Sequence, residues 1–484
     1  MNQTHTKLSH EEHVLQLPDT YIGSVEQNTA VFWCFNKEKN IMEKRELTFI
    51  PGEFKIFDEI VVNAYDQFIR TSESEDEKIS KVTEIRINVS KETGEITVFN
   101  DGEGIPVTVH PIEKIYVPEM IFGELLTSSN YDKDEKKHVG GKNGYGAKLT
   151  NIFSTRFNIT TVDHREKKKF SMTFYNNKKK KDKPEITTFK KKPFTQVSYT
   201  PDFKRFNQSG LSEDMLTLME KRAYDLAACS NDRLSIYFND QKINCKSFEK
   251  YIDLFLGKEK KAYERVNNRW EVGCALSPSL MFEQVSFVNG INTSLGGKHV
   301  EYVINQICRG LCDYIQKKKK ITVKPNYIRE NLIVFIKSTI DNPSFSSQTK
   351  ETLTTTKTKF GSTCEIPKSF IDSLAKTGIV DKAILLAEAK QNKKLKQTDG
   401  KKKGRITGIP KLEDANWAGT KKSSKCTLIL TEGDSAKSTA MAGLQIIGRD
   451  QYGVFPLKGK PLNVKDEANM KKVATNEEIG NIKK

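Results

Sequence analysis

The sequence predicts an α+β protein of about three domains, and three observations carry that expectation. Its 484 residues exceed what one core of about 100–200 residues holds. An amphipathic helical pattern from Pro51 to Arg70 is followed by two strand-like runs, Glu84 to Val89 and Glu95 to Phe99. A glycine-rich stretch, Gly140 to Lys148, then runs directly into a second helical pattern at Leu149, Ile152 and Phe153.

In the first helix Phe54, Ile56, Phe57, Ile60, Val61, Ala64 and Phe68 form the apolar face, interleaved with Lys55, Asp58, Glu59, Asn63 and Asp66. The strand pair turns at Thr93-Gly94 and closes on Asn100-Asp101-Gly102. A second region starts near Phe248. It holds strand-like Arg269 to Leu276 and Gln284 to Asn289, helix-like His299 to Gln316, a lysine run, strand-like Leu332 to Ile336 and the polar segment Asn342 to Leu353. Residues Lys390 to Arg405 read as a basic linker, and a third unit opens on Cys426 to Leu430, a buried-strand run.

Hydrophobic residues are 36% and charged residues 29%, a globular balance. The net charge of +17, from 79 Lys and Arg against 62 Asp and Glu, predicts a polyanionic partner, nucleic acid first, because cationic surface displaces counterions from a phosphate backbone. Solvated basic loops are the competing explanation. The eight cysteines show neither a CxxC nor a metal-ligand spacing, which argues against a zinc site or a disulfide framework. The polar start MNQTHTKLSHEEH and the absence of a long apolar run predict no membrane partner.

Glu59 and Asn63 stand four apart, so a carboxylate and a carboxamide share one helical face. The amide oxygen suits Mg2+, and a carboxylate within reach can orient and deprotonate water. Asn100 to Pro106 forms a glycine turn that lets backbone approach a ring, and Gly140 to Lys148 offers N–H groups to phosphates without the GxxxxGK[ST] pattern of a P-loop. Each element alone has the composition of an ordinary surface turn or helix face; their combination in this order is what points to a nucleotide.

The set resembles the GHKL ATPases. FDEIVVNAYD, FNDGEGIP, SSN, GGKNGYGAK, PDTYIGS, NPSFSSQTKETL, CTLILTEGDSA and GRDQYGVFPLKGK are similar to the eukaryotic-type DNA topoisomerase II family across nearly the whole chain. The resemblance implies a GHKL (Bergerat) α/β sandwich with an N-terminal strap over 1–238, a ribosomal-S5-like transducer over 239–390, a linker over 391–425 and a partial TOPRIM domain over 426–484. It implies ATP and Mg2+ as cofactors, double-stranded DNA as partner, a homodimer, and a nuclear location, or a cytoplasmic one for a viral or non-nucleated source. MutL-like or chaperone relatives share the glycine boxes but not QTK followed by EGDSA. A nucleotide-gated clamp without turnover is the other alternative.

By the same resemblance Glu59 is the general base, Asn63 a ligand of the ATP magnesium, and Asn100 the residue facing adenine. Ser128, Ser129 and Asn130 surround ribose and phosphates, while Gly141, Lys142, Asn143, Gly144, Tyr145, Gly146, Ala147 and Lys148 form the phosphate loop. Lys55 stands where the bacterial branch has histidine, which leaves the tuning of Glu59 open. Gln348, Thr349 and Lys350 reach the γ-phosphate from the second domain, with Gln348 and Lys350 assisting catalysis. His5 occupies the position of a strap aromatic. Lys317, Lys318, Lys319 and Lys320 face a DNA duplex by resemblance, a solvated loop being the alternative. Lys167 to Lys169 and Lys178 to Lys183 read as exposed loops. Glu432 resembles the metal-binding acid of a TOPRIM domain. No DxD pair or winged-helix tyrosine follows before Lys484, so the chain itself is not expected to cleave DNA.

Overall fold

A computed structural model describes residues 7–125, 127, 138–141, 144–230, 232–397, 406, 408–459, 462, 473 and 475–484. The expected site residues Ser128, Ser129, Asn130, Lys142 and Asn143, and His5, lie outside them. The chain divides into a unit over Met1–Val380 and one over Asp381–Lys484.

The first unit opens with helix α1 (His10–Gln16), capped by Ser9 and Glu12 in a reciprocal box, and the hairpin β1 (Asn28–Asn36) and β2 (Ile41–Phe49). Helix α2 (Pro51–Glu73) carries Pro at its start, where no intrahelical donor is lost, and buries Ile56, Phe57, Ile60, Val61, Ala64 and Phe68. Strands β3 (Glu84–Val89) and β4 (Ile96–Asp101) follow, then α3 (Val117–Gly123) and α4 (Gly146–Ile152). Five further strands are β5 (Ser154–Asp163), β6 (Lys168–Tyr175), β7 (Lys180–Lys181), β8 (Glu185–Thr188) and β9 (Phe194–Pro201). Helix α5 (Glu213–Cys229) leads to β10 (Ser235–Phe238) and β11 (Gln241–Lys242).

The sheet order is β11-β10-β3-β4-β9-β5-β6-β7, with β8 on β6. Strands β4 and β9 are central and antiparallel, which sets Asn100 opposite Thr195. The burial of β4 alternates with the two-residue period of a strand, so Ile96, Val98 and Asn100 share the covered face. Asp101 points the other way and accepts from the amides of Thr83 and Glu84 at 2.7 and 2.8 Å, closing the strand end.

Helix α6 (Phe248–Leu256) precedes β12 (Lys261–Asn267), β13 (Trp270–Leu276), β14 (Glu283–Val288) and β15 (Ile291–Asn292). Long helix α7 (Lys298–Lys319), short α8 (Pro325–Arg329) and β16 (Leu332–Ser338) complete a sheet ordered β12-β13-β16-β14-β15, in which β14 runs parallel to β16. The buried residues of α7, among them Val300, Val303, Ile304, Ile307 and Leu311, recur at helical spacing. The apolar core continues past residue 238: Phe248, Tyr251, Phe287, Ile333 and Phe335 cluster with Ile56, Tyr65 and Phe238. Helix α9 (Lys368–Leu374) follows.

Helix α10 (Ile379–Gln397) extends into the stretch expected as a linker from Lys390, because Ala383, Leu385, Leu386, Ala387, Glu388 and Ala389 are strong helix formers and no Pro or Gly interrupts the run. In the second unit β17 (Thr427–Glu432) pairs parallel with β18 (Tyr452–Leu457), and α11 (Gly433–Ile447) packs on them. The expectation that Cys426 to Leu430 is buried is corrected: Leu428 and Leu430 are 43% and 44% exposed. Among the described residues β17 has β18 alone as a strand neighbour, too small a sheet to cover both of its faces. No helix among the described residues is long and apolar enough to cross a membrane.

Candidate active site

Helix α2, strands β4 and β9, helix α3, the glycine loop and the segment after β16 enclose a cavity of ≈ 440 Å3, within the range of small-molecule sites. Glu59 and Asn63 face it from α2, Val98 and Asn100 from β4, and Thr195 and Val197 from β9. Met120, Ile121 and Phe122 supply an apolar wall. Gly141, Gly144, Tyr145, Gly146, Ala147 and Lys148 close one side, and Gln348 and Lys350 enter from the other. The described residues expected around a nucleotide therefore converge, with one difference. Thr349 does not line the cavity; its methyl lies against Gly23 and its hydroxyl bonds Glu351 at 3.1 Å.

The Glu59 carboxylate is nearly fully buried and held by two ammonium groups. Lys55 Nζ lies 2.5 Å and Lys350 Nζ 3.3 Å from its Oε1. Burial pushes the carboxyl up, but Lys350 and Lys55 together outweigh it and lower it to about 2. Burial also favours neutral lysines. In Lys350 the attraction of Glu59 prevails and the ammonium is raised above its ordinary value, whereas Lys55, facing Lys350 as well, is lowered. Lys55 thus takes the place that the sequence left open, as a direct ion-pair partner of Glu59.

The glycine loop is fixed by a residue whose role the sequence did not reveal. Buried Asp66 accepts from the amides of Gly140 and Gly141 at 2.8 and 2.9 Å. Gly146 has to be glycine, since a Cβ there would lie 2.1 Å from Glu59 Oε2. At Gly104 a Cβ would meet the Val162 carbonyl oxygen at 2.0 Å, which fixes the FNDGEGIP turn against β5. Buried Lys148 donates to the Thr127 carbonyl at 2.6 Å; desolvation, with Lys178 nearby, lowers its pKa to about 8. The amide of Asn100 donates to the Asp101 carbonyl at 2.9 Å.

Behind Glu59, fully buried Arg222 of α5 donates to Asp58 at 2.6 Å and to the Gly290 carbonyl at 2.9 Å, tying the helix of the site to the second sheet. Nothing local in the sequence marks this pair, because its members are 164 positions apart.

The remaining expected residues lie elsewhere. Lys317, Lys318 and Lys319 form the last turn of α7 and Lys320 caps it in left-handed conformation, all exposed. Lysines there also complement the helix dipole. Lys178, expected in an exposed loop, is instead ion-paired with Glu11 at 2.6 Å and only 10% exposed, because its turn packs against α1. Lys181 bonds Glu119 at 2.9 Å. Glu432, exposed at the end of β17, borders a cavity of ≈ 450 Å3 in the second unit with Asp434, Glu477 and Glu478. Among the described residues no group of three His, Cys, Asp or Glu side chains is arranged to hold a metal ion.

Residues 53–180 match the family of histidine kinase-, DNA gyrase B- and HSP90-like ATPases, and residues 235–404 match DNA gyrase B. The chain is 46% identical over 498 residues to DNA topoisomerase 2 of Saccharomyces cerevisiae, covering 99% of this chain and 34% of that protein. It is 46% identical over 495 residues to that of Acanthamoeba polyphaga mimivirus, covering 100% and 38%. The chain spans about a third of the length of these curated relatives. Among solved structures, the ATPase region of Saccharomyces cerevisiae topoisomerase II is 42% identical with a TM-score of 0.75, covering 80% of this chain and 99% of that one. The ATPase and transducer domains of DNA topoisomerase II from Balamuthia mandrillaris are 39% identical with a TM-score of 0.76, covering 81% and 99%.

Proposed function

Since this chain belongs to the DNA topoisomerase 2 family, we propose that it is an ATP-hydrolysing clamp that dimerises on nucleotide binding, captures a DNA duplex and, in the whole enzyme, passes it through a transient double-strand break. The observation that carries this reading is the ion pair between Lys350 and Glu59 inside the cavity, which joins a charge for the phosphate to a base for water.

In this reading Asn100 faces the adenine, the glycine loop and Lys148 hold the phosphates, and Gln348 and Lys350 sense the terminal one. Glu59 orients the attacking water. With two ammonium groups on one carboxylate oxygen, Glu59 is ionised but weakly basic. When Lys350 turns to the anionic phosphoryl oxygens, one cation leaves the carboxylate, its pKa rises, and it becomes a better proton acceptor, while Lys55 keeps it oriented. Charge on the transferred group and basicity of Glu59 thus rise together.

Asn63, half-buried on the cavity wall one helical turn from Glu59, offers the hard amide oxygen that suits Mg2+. A magnesium ion held there would neutralise phosphate charge during transfer. Glu432 is the matching proposal for a second, TOPRIM-type magnesium site, and Lys317 to Lys320 for non-specific contacts to duplex phosphates. The proposed domain division is a GHKL sandwich over 1–238, an S5-like transducer from 239, a linker that begins only after α10 ends at Gln397 and runs to 425, and TOPRIM from 426. The location follows the family's substrate, nuclear in a nucleated source and cytoplasmic in a viral one.

The test is steady-state ATP hydrolysis by this chain and by Glu59→Ala, with and without plasmid DNA, across protein concentrations. A rate that rises faster than linearly with protein, responds to DNA and collapses in the variant is expected. A linear, DNA-insensitive rate that survives the substitution would refute both base and clamp.

A further inference from the structure

His138 stands two residues before Gly140, the start of the glycine loop whose amides Asp66 holds, and its imidazole touches two other segments. Nδ1 lies 2.8 Å from Oε1 of Glu73, the last residue of α2, the helix that carries Glu59 and Asn63. Nε2 lies 3.1 Å from Oδ1 of Asp341, at the root of the segment that carries Gln348 and Lys350. Asp341 is itself fixed: Arg269 Nη2 donates to it at 2.5 Å, its amide donates to the Phe360 carbonyl at 3.1 Å, and a Cβ at Gly361 would lie 2.0 Å from its Oδ2.

A neutral imidazole has one N–H and one lone pair. With a carboxylate on each ring nitrogen, a neutral ring serves one partner and turns its lone pair on the other; the imidazolium donates to both. The charged groups facing the ring are Glu73, Asp341 and Arg269. Hydrogen bonding to Glu73 raises the imidazole above its ordinary 6.5, against partial burial and the repulsion of Arg269, and Asp341 adds to the rise.

We propose that protonated His138 is a positioning residue that couples the glycine loop and the end of α2 to the Lys350 segment, so that ATP turnover falls as the ring loses its proton. This rests on the cavity being the ATP site. Because the folded-state pKa is raised, the contribution is complete below the ordinary histidine value and lost as pH rises through the folded one.

The experiment follows kcat and KM for ATP from about pH 6 to about pH 9 in the whole chain, in His138→Gln and in His138→Arg, with the His138 ring proton resonance followed over the same range. Expected are a resonance midpoint above the ordinary value and a drop in wild-type kcat/KM of about fivefold or more across it. His138→Arg, permanently charged, lacks that drop and falls only where buried Lys148, lowered to about 8, loses its proton in all three chains, and His138→Gln shows the reduced rate throughout. A His138→Gln profile superimposable on wild type, or a resonance midpoint at or below the ordinary value, would overturn the proposal. At about pH 6 His138→Arg is expected to melt with wild type and His138→Gln only slightly lower, by the lost contribution of the charged ring, which separates a lost coupling from a lost fold; a melting temperature lowered in both variants counts against the proposal. Failure of the ATP-site reading shows elsewhere, as undiminished hydrolysis in Glu59→Ala, where His138 is intact.

Discussion

Lys350 and Glu59 are 291 positions apart in the chain and 3.3 Å apart in the fold, both buried. The Lys350 backbone is in left-handed conformation at φ 63°, and its amide donates to the Ser347 carbonyl at 3.2 Å, a tight turn that aims the ammonium at the carboxylate. Lys350→Met leaves Glu59 paired with Lys55, so the fold persists while the charge next to the phosphoryl group is lost. ATP turnover is expected to fall by about 10²–10³-fold. Nucleotide titration together with single-turnover hydrolysis checks this; a variant that binds weakly but turns over at the wild-type rate would contradict it.

Gly146→Ala places a methyl group 2.1 Å from Glu59 Oε2 and 3.3 Å from Glu59 Cβ. Glu59 cannot swing aside without leaving Lys55. The expected stability loss is modest, about 1–3 kcal/mol. The expected loss of turnover, about 10²-fold, is out of proportion to it, because the base is displaced. Thermal melting and kcat measured on the same preparation decide between the two effects.

Arg222→Met removes the partner of Asp58 and of the Gly290 carbonyl in a site where Arg222 is only 2% exposed. A half-buried carboxylate that loses its guanidinium, together with an unpaired Gly290 carbonyl, predicts a destabilisation of about 1–3 kcal/mol, read from the urea midpoint. Adding Asp58→Leu is expected to recover part of it. If the double variant is as unstable as the single one, the penalty does not come from the orphaned charge.

Glu53 is buried in the first turn of α2. Its Oε1 finds no hydrogen-bond partner among the described residues, and neither does the hydroxyl of Tyr199. Burial pushes Glu53 up to about 7 from 4.5. Between those values the folded state binds a proton that the unfolded state has released, so stability decreases as pH rises through that window and stays reduced above it, by up to ~3 kcal/mol. Glu53→Gln is expected to raise the melting temperature at about pH 8 and to flatten its pH dependence. Calorimetry at several pH values tests both parts.

Much of the site's inventory was legible because it is local. The periodicity from Pro51 to Arg70 located α2, and a four-residue spacing set Lys55, Glu59 and Asn63 on one face. The stretches Asn100 to Pro106 and Gly140 to Lys148 announced close backbone approach, which Gly104 and Gly146 make necessary. Helix α10 outran its expected end and β17 proved half exposed, since linker composition and an apolar run report propensity and not what neighbours cover.

The sequence by itself therefore determined the principal helix and strand pair of the site, the residue types at the nucleotide cavity and the family they resemble, all of which depend on spacing within a few turns of chain. Only the tertiary structure decided which distant groups meet. Asp66 holds Gly140, Arg222 reaches Asp58, His138 bridges Glu73 and Asp341, and Lys350 shares Glu59 with Lys55. The physical reason is that such pairings are set by the packing of α2, α5 and the second sheet around one apolar core. The strength of each charge follows from burial and from its neighbours, which no local periodicity contains.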